Sequence, residues 1–350
     1  MFTFTLFVFV ISGLALLLGI FFPKQTLFWG QKKTRSKVIL TYLPIMLLAF
    51  SANTATSGIG LSEKIANIEA EINQVEQDYE QKGTSEVEAN SKEESNSESL
   101  ETMQVDFIDV GQADAALLQY EDKDEEYNVL IDTGDWNGNE TIEHLEQENV
   151  DNVDLIALSH EHSDHLGQAD KVMDAVDVTE VWLPGNEADS DVYERVIDGM
   201  EENNVDYNEP RAGEEYEIGP LDIEVVSPKE LTGDLNDDSI VMNVTYGDIS
   251  FLFTGDAEQN AESLMLENDS DLSADILKVG HHGSHTSNTE DFIREVEPDT
   301  AIISVGENNS YDHPSDEVIS RLQNYGADTY ITKDDGTITI ETDGVDYSVQ

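Results

Sequence analysis

The most apolar stretch of the chain comes first, at residues 2 to 22, FTFTLFVFVISGLALLLGIFF. Wound as a helix, this run is long enough to cover the hydrocarbon core of a bilayer, so it predicts a transmembrane helix. A second apolar stretch, from Val38 to about Leu61, is diluted by Pro44 and a Ser/Thr/Gly tail. Lys24, Lys32, Lys33, Arg35 and Lys37 lie between the two, and residues 1–62 contain no Asp or Glu. Basic loops stay cytoplasmic, so two spans place everything downstream outside the cell, whereas a single span leaves it inside. Cleavage near Ala49 to Ser51, as after a signal peptide, is a third outcome, disfavoured by so late a position. The expectation is a membrane anchor over 1–62 and an extracellular C-terminal part.

Beyond the anchor the pattern changes period. Leu61, Ile65, Ile68, Ile72, Val75 and Tyr79 fall at spacings of four and three, which predicts a short amphipathic helix, a stalk or a dimerising coil. Residues 81–101 have no apolar periodicity and read as an acidic disordered linker, giving a connecting segment over 63–102. From Met103 the runs MQVDFIDV, DAALLQY, YNVLIDTG, VDLIALSH, DIEVVS, IVMNVTY and ISFLFTG predict strands. Helical segments then alternate with ADILKVG, TAIISVG, DTYITK and TITIET. Residues 103–350 therefore form a layered α/β domain.

Composition narrows the chemistry. The chain has 75 acidic and 17 basic residues, a formal net charge of -58. Self-repulsion on that scale needs screening, and at molar salt the Debye length falls to about 3 Å. The acid is spread over the chain after residue 62, which fits a halophilic habitat better than one acidic binding patch. There is no cysteine, so any metal must be held by His, Asp or Glu.

Seven of the eight histidines fall in three short clusters. In LIALSHEHSDHLG a buried-strand run delivers His160, His162, Asp164 and His165. Residues i and i+2 of an extended segment share a side, so His160 and His162 can grip one ion, while Asp164 and His165, past the bend, reach a second. Two such ions can share one hydroxide and clamp both oxygens of a displacement. ISFLFTGDAE places Asp256 after another strand, where a carboxylate can bridge the ions or simply cap a helix. ADILKVG ends at His281 and His282, followed by Ser284, His285 and Thr286, which either meet an anionic substrate or cap the next helix. His313, in SYDHPS, follows one more strand and is a candidate for substrate contact or proton transfer. His144, in TIEHLEQEN, reads as a solvated helix position.

In their order, VDFIDVGQADAALL, VLIDTGD, LSHEHSDHLG, NDDSIVMNVTYGDISFLFTGDAE, ILKVGHHGSHTS and YDHPS resemble the metallo-β-lactamase superfamily, more narrowly the hydrolase domain of ComEC-type competence proteins, over residues 103–350. The resemblance implies a four-layer αββα sandwich with two divalent ions at one sheet edge, zinc by ligand type or else manganese. It implies that His160 and His162 hold one ion, Asp164 and His165 the other, that Asp256 bridges and that His282 completes the second site. His281 then faces substrate, and Asp132 buttresses the motif loop through hydrogen bonds. Two departures stand out. Ala113 replaces a glycine of the D-V-G-Q-G-D motif, which questions that loop's backbone. No histidine lies between 166 and 280, where the wider superfamily has one more ligand; the ComEC-like branch has a polar turn there, matching Asn236 to Ser239.

The expected activity is metal-dependent hydrolysis of a phosphodiester, with nucleic acid among the substrates. Only 12 of the 17 basic residues lie beyond residue 62, which argues against a broad electrostatic DNA surface. A phosphocholine ester, a lactone or a β-lactam is the alternative within hydrolases. A non-catalytic scaffold on the same fold is the alternative outside them.

Overall fold

Strand Leu221–Ser227 shows how the pattern becomes structure: Leu221, Ile223 and Val225 are buried, while Asp222 faces water. By contrast Asn152–Ala157 has no exposed residue and is fully buried from Leu155 to Ala157, as a parallel strand covered on both faces should be. The computed structural model describes residues 100–350, apart from 124 and 269. The anchor, stalk and linker expectations for residues 1–99 lie outside the described residues. Among the described residues no helix is long and apolar enough to cross a membrane.

Fifteen strands form two sheets among the described residues. The first contains β1 (Met103–Phe107), β2 (Ala115–Asp122), β3 (Glu125–Thr133), β4 (Asn152–Ala157), β5 (Asp177–Trp182), β6 (Asp206–Asn208), β14 (Ile338–Thr342) and β15 (Tyr347–Val349). Their order is β15-β14-β1-β2-β3-β4-β5-β6. The second contains β7 (Glu215–Ile218), β8 (Leu221–Ser227), β9 (Val241–Tyr246), β10 (Ile249–Phe253), β11 (Ile276–Lys278), β12 (Thr300–Ile303) and β13 (Asp328–Ile331). Its order is β13-β12-β11-β10-β9-β8-β7. In each sheet one flank is parallel, β3 to β6 and β10 to β13, and the other is antiparallel.

Three apolar clusters define the layers. Between the sheets lie Phe107, Leu118, Trp182, Met242, Tyr246 and Phe251, with the rings of Phe107 and Phe253 5.8 Å apart. Outside the first sheet, Leu117, Leu130 and Ile156 pack on α1 (Glu140–Gln147), α2 (Ala169–Ala175) and α3 (Asp191–Asn203). Outside the second, Leu252, Leu277 and Ile303 pack on α4 (Gln259–Glu267), α5 (Glu290–Val296) and α6 (Asp316–Tyr325). A last helical turn, α7, spans Thr332–Asp335. The layers run helix, sheet, sheet, helix.

His144 departs from the solvated position expected of it. Its Nε2 lies 2.9 Å from the carboxylate of Asp106, which is 2% exposed, so α1 turns this imidazole inward onto β1. An unpaired buried carboxylate is costly, and His144, Gln104 and Thr339 together satisfy it.

Candidate metal centre

The parallel flanks matter because β3, β4, β10, β11 and β12 all end at one edge, and each releases polar residues there. In open α/β sheets the space beyond the carboxyl ends of such strands is where ligands bind. Out of β4 come Ser159 and the His160 to His165 loop, out of β10 Asp256, out of β11 His281 and His282, and out of β12 the segment reaching His313.

Asp256 stands at the centre. Its Oδ2 lies 3.9 Å from His160 Nε2 and 3.6 Å from His281 Nε2, while its Oδ1 lies 3.3 Å from His165 Nε2 and 3.9 Å from His282 Nε2. The two oxygens of one carboxylate thus serve two groups of imidazoles. On one side His160, His165 and Asp256 offer atoms within 4.8 Å of one another; on the other Asp164, His165 and His282 do the same. His162 Nδ1 is 2.9 Å from His160 Nε2.

Four of these imidazoles, His160, His165, His281 and His282, are fixed from behind. Asp132, at positive φ near the end of β3, accepts hydrogen bonds from Ser159 N (2.7 Å), Ser159 Oγ (2.8 Å) and His165 Nδ1 (2.9 Å). Because Ser159 gives its proton to Asp132, its oxygen is free to accept from His160 Nδ1 at 3.1 Å. His282 Nδ1 donates to Ser304 O at 3.0 Å, and His281 Nδ1 sits 3.1 Å from Glu258. Second nitrogens tied down this way leave Nε2 of His165, His281 and His282 facing Asp256, while that of His160 also meets His162, and metal-ligating histidines are commonly held from behind in this manner.

The donor set fits divalent ions. His165 Nε2, His282 Nε2 and Asp256 Oδ1 are buried and have no hydrogen-bond partner, although they converge. Three such orphans in one place cost several kcal/mol unless a ligand satisfies them. Charge tells the same story. Burial alone would lower the pKa of His165, yet Asp256 and Asp132 hold it well above its ordinary value. His282, also buried, is pushed up to about 10 by Asp256 and Asp114. Burial disfavours ionised Asp164, but the imidazoles of His282, whose Nε2 is 3.5 Å away, and of His165 bring its carboxyl down to about 2. The carboxylates create a field that draws positive charge to His165 and His282, whereas burial and the neighbouring His165 hold His160 well below its ordinary value.

Several neighbours carry weak signals in the sequence. Asp114 closes the D-V-G-Q-A-D loop, and its Oδ1 is 3.3 Å from His282 Nδ1 while its Oδ2 is 2.5 Å from the buried Lys278 Nζ. Lys278 could have been suspected, since a charge inside the apolar run ILKVG needs a partner. The loop itself is undisturbed by Ala113: the left-handed residue is Gly111 (φ +76°), and Ala113 sits buried without positive φ. The turn from Asn236 to Ser239 brings no imidazole; instead Ser239 Oγ accepts from the Asp256 backbone N–H at 3.2 Å. Ser284 spends its hydroxyl on Thr286, 2.9 Å away. The cap of α5 is Thr289, whose Oγ1 accepts from Phe292 N, so capping is not the role of Ser284, His285 or Thr286. His313 comes to the mouth, its ring 5.6 Å from that of His281 and 6.5 Å from that of His282.

Two pH effects follow. Burial and the Asn186 N–H act in opposite directions on Glu161, between the two first ligands, and burial prevails, raising its carboxyl to about 7. A raised carboxyl costs nothing below its unfolded pKa of 4.5, and the cost grows until pH 7 is passed. In chelated protein, Glu161→Gln is therefore expected to leave urea stability unchanged at pH 4 and raise it by roughly 3 kcal/mol at pH 8. Equal effects at both pH values would contradict the assignment. For His313, burial and the imidazoles of His281 and His282 depress the ring to about 4, and bound cations would act with the same sign. It is neutral at pH 7, so the activity lost in His313→Gln should persist in the wild type down to about pH 5; a limb near 6.5 would contradict this.

Fold and site together define a two-sheet α/β sandwich with a buried cluster of His and Asp side chains, able to hold divalent ions, at one sheet edge. The chain belongs to the metallo-beta-lactamase superfamily, whose family model matches residues 108–307. It is 31% identical to ComE operon protein 3 of Bacillus subtilis over 253 residues, covering 67% of this chain and 32% of that protein. It is 32% identical to Recombination protein 2 of Haemophilus influenzae over 231 residues, covering 64% of this chain and 27% of that one. Competence protein ComA of Neisseria gonorrhoeae is 30% identical over 224 residues, covering 62% and 29%. The chain thus matches about a third or less of the length of these relatives.

Proposed function

We propose that this chain is a metal-dependent phosphodiesterase acting on nucleic-acid-like substrates in high salt, held to a membrane by residues 1–62 with its hydrolase domain outside the cell. The observation that carries the enzymatic reading is Asp256, one carboxylate whose two oxygens face two groups of imidazoles, with Oδ1, His165 Nε2 and His282 Nε2 left without a hydrogen-bond partner. His160, His162 and Asp256 would hold one divalent ion; Asp164, His165, His282 and Asp256 would hold the other. Zinc suits this set, with manganese the alternative. When bound, such ions supply Lewis acidity and lower the pKa of water toward neutrality.

The remaining groups serve the substrate. His281, with Nδ1 anchored to Glu258, and His313, neutral and half-exposed, line the open side, where imidazole N–H groups can hold phosphoryl oxygens. His313 in that state accepts a proton more readily than it gives one. The names of the relatives, competence and recombination proteins, support a nucleic-acid substrate. The test is a panel at molar KCl: bis(p-nitrophenyl) phosphate, p-nitrophenyl phosphate, p-nitrophenylphosphocholine, a lactone and a β-lactam. Turnover of the diester above all others supports the reading. Turnover of the lactone or β-lactam alone replaces it, and bound metal with no turnover favours a scaffold.

A further inference from the structure

Tyr311 is the most exposed large apolar side chain among the described residues, at 67%. It does not hang free. Its ring stacks on that of His313, with centroids 5.6 Å apart and planes 29° from parallel, and His313 in turn meets His281 edge-on at 5.6 Å. An aromatic surface therefore runs from solvent to the imidazole beside Asp256.

The loop that carries Tyr311 is held rigid by one side chain. Asn309 Oδ1 accepts from Tyr311 N (3.1 Å) and His313 N (3.0 Å), while its Nδ2 donates to Gly306 O (2.9 Å) and His313 O (2.8 Å). Fixing an exposed aromatic in this way removes ordering cost from whatever binds on it. The chain's charge says what kind of contact is useful here. With 75 acidic residues against 17 basic ones, and with salt screening the cations it has, affinity for a polyanion must come from uncharged contacts near the metal centre.

We propose that Tyr311, backed by His313, is a stacking platform for a nucleobase next to the scissile phosphodiester, and that the substrate is single-stranded nucleic acid. The inference rests on the phosphodiesterase reading. Every base has a π-face, so such stacking is tolerant of sequence, and it needs no counterion release. Bases inside a duplex are already stacked on each other and cannot reach the ring, which selects single strands.

The experiment measures binding as well as turnover, on the full metal-loaded chain in 1 M KCl. Two 5′-labelled phosphorothioate strands of equal length are compared by fluorescence anisotropy, one of thymidylates and one abasic. The wild type should bind the thymidylate strand more tightly, by a ratio unchanged between 0.5 and 2 M KCl. Tyr311→Ala should weaken that strand roughly 5- to 100-fold and leave the abasic one unaltered, and Tyr311→Trp should restore it. Equal wild-type affinity for the two strands, or equal weakening of both in Tyr311→Ala, overturns the proposal and makes Tyr311 a loop support. If bis(p-nitrophenyl) phosphate is not hydrolysed at all, the phosphodiesterase reading fails, while the two strands still decide whether the ring receives a base.

Discussion

Asp256→Asn should lower turnover roughly a thousandfold or more and reduce bound metal from two ions per chain toward one or none, with the fold intact. The change is isosteric, so it tests charge and not volume. Asp256 is 2% exposed, and burial opposes its ionisation, yet His165, His282 and His160 hold its carboxyl well below the ordinary range. A neutral amide offers one oxygen and no charge to two groups of ligands that the carboxylate serves with one oxygen each. Metal sites of this kind contribute several kcal/mol to transition-state stabilisation, and about 4 kcal/mol is a thousandfold in rate. Circular dichroism and plasma mass spectrometry of the variant check fold and metal content. A variant with two ions and near-normal turnover would show that Asp256 is only a structural carboxylate.

The second large effect concerns stability. Lys278→Met should cost about 3–5 kcal/mol in urea unfolding of chelated protein, and adding Asp114→Asn should recover most of it. Lys278 is 5% exposed, and its Nζ is 2.5 Å from Asp114, itself 3% exposed. Burial would raise the Asp114 carboxyl, but Lys278 and then His282 hold it far below its usual value. Removing one member of a buried pair strands the other charge, whereas neutralising both removes the penalty. Chelation keeps metal binding from masking the difference. If the double variant is no more stable than Lys278→Met, the loss comes from packing of the lysine stem and not from the stranded charge.

How far the sequence reveals this site depends on whether a residue's role is local. His160, His162, Asp164, His165, Asp256 and His282 each follow an apolar run of strand length, so periodicity marks the strand and its end marks the ligand. The same logic finds the strands around them. It misses β5, β6, β7 and β15, which are short or half-exposed: β6 (Asp206, Tyr207, Asn208) has no apolar alternation, and in the others the alternation spans too few residues to stand out. It misses the closure of the first sheet, where Met103 pairs with Thr342, because no local pattern encodes so distant a register. Ser159, Asp114 and Glu258 escape for a related reason. Their types are ordinary in loops, and only the meeting of β2, β4, β10 and β11 at one edge gives them a histidine to hold. His144 shows the reverse error: a helix pattern says which face is polar, but not that Asp106 waits beneath it.

The most direct test of the central claim is the number of ions retained per chain after exhaustive dialysis in molar KCl, read beside bis(p-nitrophenyl) phosphate hydrolysis for the wild type and an Asp164→Ala, His165→Ala double variant. Close to two ions and measurable hydrolysis in the wild type, with the second ion and the hydrolysis lost together in the variant, is the expected result. Hydrolysis that survives in the variant, or a wild type that retains no metal, would contradict a two-ion centre built on Asp256.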